Sequence, residues 1–139
     1  MSEWAKSEKY LRRGKGFCVE VSRHEVKPTD ERDDRGRFRW CVYAYIYPTH
    51  QLFQAAMDYM TPGSNEDAIR ALAMHEGITL KHVIRMDGDR TEVSSVQLGC
   101  DYNHLDDERF THYETREDAV CVFLDANMLF NQLGGKFYE

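Results

Sequence analysis

The chain has 139 residues, of which 42% are hydrophobic and 30% charged, and its 18 basic and 24 acidic side chains give a formal net charge of −6. This length suits one domain and supplies enough apolar surface for a core without disulfide or metal staples. The composition excludes a disordered or collagen-like chain, and the acidic balance argues against direct binding of nucleic acid through a basic surface.

The first part of the chain is predicted to hold a basic arm and one strand. Residues 1–15 carry several Lys and Arg side chains and are predicted to be a short helical or frayed arm. Residues 16–26 alternate apolar with polar side chains, which is typical of a half-buried strand. Residues 27–37 are nearly all charged and contain Pro and Gly, so they are predicted to form a long solvated hairpin loop.

The second predicted strand, at residues 38–47, has the clearest alternation in the chain. Trp40 and every second residue after it are apolar, whereas the other side carries tyrosine at three successive positions. Pro48 ends the strand, because proline cannot donate a hydrogen bond to a sheet. The three tyrosines are Tyr43, Tyr45 and Tyr47.

The rest of the chain is predicted to hold two helices, a hairpin and a last helix. The helices are expected at residues 50–60 and 65–76, and the hairpin strands at 78–86 and 91–102 around an Asp-Gly turn at 87–88. The last helix follows Thr115, since apolar residues recur there at every third or fourth position. These residues are Ala119, Val122, Phe123, Ala126, Leu129, Phe130 and Leu133.

This order of elements predicts a single α+β domain that spans residues 1–139. Two strands, one or two helices, two strands and a helix are expected to form a four-stranded antiparallel sheet with two to three helices packed on one face.

The four cysteines and the absence of a long apolar segment bear on the compartment. Cys18, Cys41, Cys100 and Cys121 each lie in an apolar run, so they are predicted to be buried free thiols, with two disulfides in a secreted domain as the alternative. No apolar run reaches the length of a membrane span, and the polar start of the chain does not read as a signal peptide. The cytoplasm and no membrane contact are therefore predicted.

The tyrosine row has two interpretations. If the Trp40 side packs on the helices, Tyr43, Tyr45 and Tyr47 stand on the opposite face of the sheet, where exposed tyrosines provide a surface for a protein partner. Alternatively, the strand is covered on both sides and only the hydroxyl groups reach the rim.

The segment between Asp101 and Asp118 is strongly acidic, with seven carboxylates against two arginines. An acidic loop can resemble the phosphates of nucleic acid and occupy a basic channel of a partner protein, whereas an ordinary solvated loop is the simpler interpretation. The predicted partner-binding acids, which we expect to be exposed, are Asp101, Asp106, Asp107 and Glu108.

The histidines raise a metal-assisted hydrolase as an alternative function. His104 and His112 lie near several aspartates, and these are ligand types for a divalent ion, but their spacing matches no standard metal site. His24, His75 and His82 are predicted to be surface or rim residues. The chain contains no phosphate-binding loop, dinucleotide-binding, nucleophile-elbow or zinc-protease motif, so no catalytic residue and no cofactor are predicted.

Three runs of the sequence resemble small accessory proteins of phages, plasmids and prophages. The resemblance implies an accessory gene, and many such small acidic products bind and block a host protein. The predicted function is therefore a non-enzymatic protein that inhibits a larger partner with a basic surface, for example a CRISPR effector, with a toxin-immunity protein equally compatible. The runs are residues 40–48, 97–104 and 109–113.

Overall fold

A computed structural model describes residues 7–26, 36–86, 89–104 and 107–134 of the chain. Within these ranges the fold is α+β, with one antiparallel sheet whose strand order is β1-β2-β3-β5-β4. A short 3-10 helix, Glu108–His112, precedes the last helix. The strands are β1 (Ser7–Gly14), β2 (Phe17–Glu25), β3 (Phe38–Ile46), β4 (Leu80–Met86) and β5 (Asp89–Asp101), and the helices are α1 (Phe53–Asp58), α2 (Asp67–Arg70) and α3 (Val120–Leu133).

The sheet has five strands rather than the four predicted. The segment expected to be a basic arm contains β1, which pairs with β2 along its whole length, from Ser7 opposite His24 to Gly14 opposite Phe17. A two-residue turn joins the strands, and its second residue, Gly16, has φ +80°, a conformation that glycine adopts without strain. In the strand order of the sheet, β1 is an edge strand.

The core lies between the helices and the sheet face that carries Trp40. From Trp40 onward, every second residue of β3 on this face is buried, as the alternation predicts, and Phe38 at the start of the strand is partly buried. Helix α3 covers this face: Phe123 packs edge-on against Trp40 with 5.9 Å between ring centroids, and Phe130 contacts Phe17 at 5.0 Å. The predicted apolar stripe of α3 is confirmed, with its Phe side chains partly buried and its aliphatic ones buried.

Two helices are shorter than predicted, because side chains and turns take over their backbone hydrogen bonds. The helix expected at 65–76 is reduced to α2, and the Gln132 side chain of α3 then bonds the next backbone groups, accepting from the Ala73 N–H at 2.7 Å and donating to the Ala71 carbonyl at 2.9 Å. The helix expected at 50–60 is limited to α1, because His50 lies in a turn.

Both edge strands carry features that oppose strand addition. On β1, the side chains of Lys9, Arg12 and Arg13 are exposed. On β4, the pairing register with β5 shifts on either side of Arg85, which is also exposed. Charged side chains and bulges are common means of protecting a sheet edge.

Three of the four cysteines are buried free thiols, as predicted: Cys18, Cys41 and Cys100. The prediction for Cys121 is wrong, because this residue lies on the outer side of α3 and is exposed. The turn predicted at residues 87–88 lies outside the described residues. Among the helices that the structure describes, none is both long and apolar enough to cross a membrane.

Candidate functional site

The face of the sheet opposite the core carries Tyr43 and Tyr45 and is called the tyrosine face below. The ring contacts and hydrogen bonds found between strands and helices use the Trp40 side of the sheet, through residues such as Phe17 and Lys81. In the part of the chain that the structure describes, no such contact from a helix falls on the tyrosine face. Tyr43 and Tyr45 are half-buried there, whereas Tyr47 follows the end of β3 and is 36% exposed.

Each of the two tyrosines is held by its neighbour on β5. Gly99 pairs with Tyr43, and a Cβ placed on this glycine would lie 2.4 Å from Tyr43 Cδ1, so the aromatic ring lies against the glycine backbone. Gln97 pairs with Tyr45, and its Nε2 donates a hydrogen bond of 3.1 Å to the Tyr45 hydroxyl. Both rings are therefore positioned by contacts with β5.

The side chains around the tyrosines are mostly small. In register next to them lie Cys18, Cys41 and Ser95, which are buried although no described helix covers this face. Burial, followed by a hydrogen bond with Cys41, raises the pKa of Tyr43, and burial followed by the charge of Glu20 raises the pKa of Tyr45. Both phenols are uncharged over the physiological pH range.

The predicted acidic partner-binding residues are divided among several places. Asp101 lies on the tyrosine face, opposite Cys41 and two residues from Gly99. Glu108 is exposed in the 3-10 helix, and Asp106 lies outside the described residues. The expectation that Asp107 is exposed is wrong, because it is 4% exposed and its carboxylate is bonded by two histidines.

These contacts belong to a second grouping, the histidine–carboxylate cluster of His75, Glu76, His104 and Asp107. One nitrogen of His75, Nε2, lies 2.8 and 2.9 Å from the two carboxylate oxygens of Asp107. His104 Nδ1 lies 2.8 Å from Glu76 Oε2 and 3.0 Å from Asp107 Oδ2. The potential ligand atoms of all four residues lie within 4.8 Å of one another.

Opposing effects set the charge states in the cluster. Burial alone raises the pKa of Asp107, but hydrogen bonds from the His104 backbone and from the His75 and His104 side chains outweigh it, so the pKa is lower than usual. Desolvation lowers the pKa of His104, but the Asp107 hydrogen bond and the charges of Asp101 and Glu76 outweigh it and raise the pKa. The net shift in each case favours the charged form of the group concerned.

The sequence pointed to one member of this cluster and missed its main partner. His104 was a metal candidate together with His112, but His112 is exposed at the end of the 3-10 helix and is not in the cluster. His75 is partly buried, which agrees with its prediction as a surface or rim residue, but its bond to Asp107 and the stacking of its ring on Tyr102 at 4.3 Å were not predicted. The sequence signal that could have indicated this cluster is the adjacent pair of potential ligands His75 and Glu76 at the end of a helical pattern.

Comparison of the chain with protein-family models, with curated proteins and with solved structures finds no match.

Proposed function

We propose that this chain is a protein-binding protein that attaches through its tyrosine face to a larger partner with a basic surface and blocks that surface. The observation that carries this proposal is the placement of the described helices, which pack on the Trp40 side and make no ring contact or hydrogen bond with the tyrosine face. An antiparallel sheet commonly leaves one face to solvent, but two ordered aromatic rings on that face are typical of an interface.

The rigidity of the two rings favours binding. Tyr43 lies against Gly99 and Tyr45 is hydrogen-bonded to Gln97, so little side-chain entropy is lost when a partner covers them. Leu80 on β4 and Leu11 on β1 extend the same face, and they are 39% and 53% exposed. The face thus combines central aromatic anchors with apolar side chains at both edges, which is how binding energy is concentrated in many interfaces.

The distribution of charge favours a basic partner. Residues 40–139 carry 16 acidic and 7 basic side chains, and Asp101 lies on the β5 side of the tyrosine face, whereas Lys9 and Arg13 lie at its β1 edge. This field attracts a surface rich in Lys and Arg and speeds its encounter with the chain. If that surface is the nucleic-acid channel of a defence complex or a nuclease, its occupation inhibits the partner. Asp107 contributes less than predicted, because its carboxylate faces His75 and His104.

The test combines capture of the partner with variants on both sides of the molecule. The tagged chain is used to isolate stoichiometric partners from cells of its host, and the affinity of the purified complex is measured against salt concentration. Replacement of Tyr43 and Tyr45 by Ala, or Asp101→Lys, is expected to weaken binding by about tenfold or more, a typical loss for a central interface residue. Affinity is also expected to fall as salt rises.

Two matched controls make the result decisive. Asp118→Lys makes the same charge change on an exposed residue before α3, and Leu124→Ala shortens a 61% exposed side chain on the outer side of α3. Both variants are expected to bind as the unmodified chain does. Loss of binding in Leu124→Ala with retention in the tyrosine variant would place the interface on α3 and refute the proposal, as would a partner with an acidic surface.

A further inference from the structure

The histidine–carboxylate cluster lies outside the tyrosine face, and its atoms are grouped as ligands rather than as simple ion pairs. Two imidazole nitrogens and two carboxylates converge from separate parts of the chain: the segment after α2 and the segment between β5 and the 3-10 helix. His104 Nδ1 faces three carboxylates, because Asp101 Oδ1 also lies 3.7 Å from it. Such a concentration of carboxylate charge favours a cation.

Each imidazole nitrogen in the cluster faces more carboxylate oxygens than it has hydrogens to donate. His75 Nε2 is almost equidistant from both oxygens of Asp107, at 2.8 and 2.9 Å, and it has at most one hydrogen to donate. His104 Nδ1 likewise has one hydrogen for Glu76 and Asp107. Asp107 Oδ2 also accepts the His104 backbone N–H at 3.0 Å, but each imidazole nitrogen still shares one hydrogen between two carboxylate oxygens, whereas a cation would interact with all of these oxygens at once.

The backbone directs both carboxylates into the cluster. Glu76 has φ +53°, which is uncommon for a residue with a side chain, and Gly77 follows with φ +92°. Asp107 occupies the N-cap position of the 3-10 helix, where an aspartate usually accepts a backbone N–H, yet it makes no side-chain capping bond. Its carboxylate is instead directed at the histidines.

We propose that His75 Nε2, His104 Nδ1, Asp107 and Glu76 form a binding site for one divalent transition-metal ion of the zinc class. Imidazole nitrogen is a ligand that zinc and similar ions accept and that calcium and magnesium avoid, and two nitrogens with two carboxylates complete a four-coordinate set. Neighbouring ligands around such an ion lie about 3.3 Å apart, so the cluster needs side-chain movements of only about 1 Å.

Surrounding contacts hold the ligands in place. The His75 ring is stacked on Tyr102 with 4.3 Å between centroids, and it meets Phe110 edge-on at 5.6 Å. Tyr102 in turn donates a hydrogen bond of 2.5 Å to Asp125 on α3. Glu76 is about half exposed, so an ion can enter from solvent on that side. A packed inner shell with one open side is typical of a site that exchanges its ion.

The first measurement is direct titration of the full chain with Zn²⁺ by calorimetry, after treatment with a chelator. One equivalent is expected to bind, to be removed by chelator, and to resist competition by equal concentrations of Ca²⁺ or Mg²⁺. Replacement of Zn²⁺ by Co²⁺ is expected to give the visible absorption of a site with nitrogen ligands. Failure to observe saturable Zn²⁺ binding, or a preference for Ca²⁺ or Mg²⁺, would overturn the proposal.

Three variants locate the site. His104→Ala and Glu76→Gln are expected to weaken Zn²⁺ binding by about 100-fold and at least tenfold, since the first removes a ligand and the second a charge. His112→Ala is the matched control, because it removes an exposed imidazole eight residues from His104 and is expected to bind normally. Glu76→Gln keeps the inference testable if His104→Ala does not fold. Unchanged affinity in Glu76→Gln and His104→Ala, or loss in His112→Ala, would refute it.

Discussion

His50 offers the sharpest test of how the fold is held together. This buried histidine lies in the turn after β3, and its Nε2 donates a hydrogen bond of 2.7 Å to the carbonyl of Leu133 at the end of α3. Its Nδ1 accepts a bond of 3.0 Å from the Leu52 N–H, and its ring meets Phe17 edge-on with 5.6 Å between centroids. One imidazole thus joins the sheet, the turn before α1 and the end of α3.

His50→Ala removes both hydrogen bonds and leaves a buried carbonyl and a buried N–H without their partner. A net hydrogen bond contributes about 1 kcal/mol, and an unsatisfied buried group costs about 1–3 kcal/mol. The expected loss is about 3–4 kcal/mol in the free energy of unfolding, or roughly 10 °C in Tm for a chain of this length.

Urea unfolding followed by tryptophan fluorescence measures this loss, because Trp40 is fully buried in the core. His82→Ala is the control, since His82 is exposed on β4 and its replacement is expected to change stability by less than about 0.5 kcal/mol. A His50→Ala protein within 1 kcal/mol of the unmodified chain would show that the imidazole does not link these elements.

Three further predictions concern the core, the thiols and the tyrosines. Phe123→Ala is expected to cost about 3 kcal/mol in urea unfolding, because the ring packs against Tyr10 and Trp40; a loss under 1 kcal/mol would contradict this packing. Of the described thiols, only that of Cys121 is expected to react quickly with a thiol reagent in the folded protein, since burial raises the pKa of Cys100 to about 12; fast labelling of a second one, identified by peptide mapping, would be inconsistent. Burial raises the pKa of Tyr43 and Tyr45 above the usual 10, so above pH 10 the folded state holds protons that the unfolded state releases. The free energy of unfolding is therefore retained below pH 10 and falls at higher pH. Replacement of both tyrosines by Phe is expected to reduce this fall.

Strong periodic patterns were sufficient to predict the main core elements. The alternation in β3 and the three-to-four spacing in α3 identified the buried faces, because both elements pack one side against a core. The pattern in β1 was hidden, since an edge strand with several charged side chains resembles a solvated arm until its pairing with β2 is known. The early end of α2 depends on Gln132, which lies about 60 residues away and acts only in the folded chain.

Of the two candidate sites, the sequence pattern indicated the tyrosine face but not the histidine–carboxylate cluster. Alternation alone placed Tyr43 and Tyr45 on one face, although only the structure shows where the helices pack. The histidine–carboxylate cluster was not predicted, because His75 and Asp107 are 32 residues apart and have no spacing typical of a metal motif. Local sequence also suggested an exposed Asp107, whereas tertiary packing buries it.

The protected edges of the sheet bear on how this protein behaves when concentrated. Exposed basic side chains on β1 and the register shift around Arg85 on β4 oppose backbone pairing between the edge strands of two molecules. Such edge-to-edge pairing is a route to fibril growth. Contacts with other molecules are thereby directed away from backbone pairing and toward side chains, where recognition depends on shape and charge. Such protection favours selective binding through side chains at concentrations at which an unprotected edge strand would lead to polymerisation through backbone pairing.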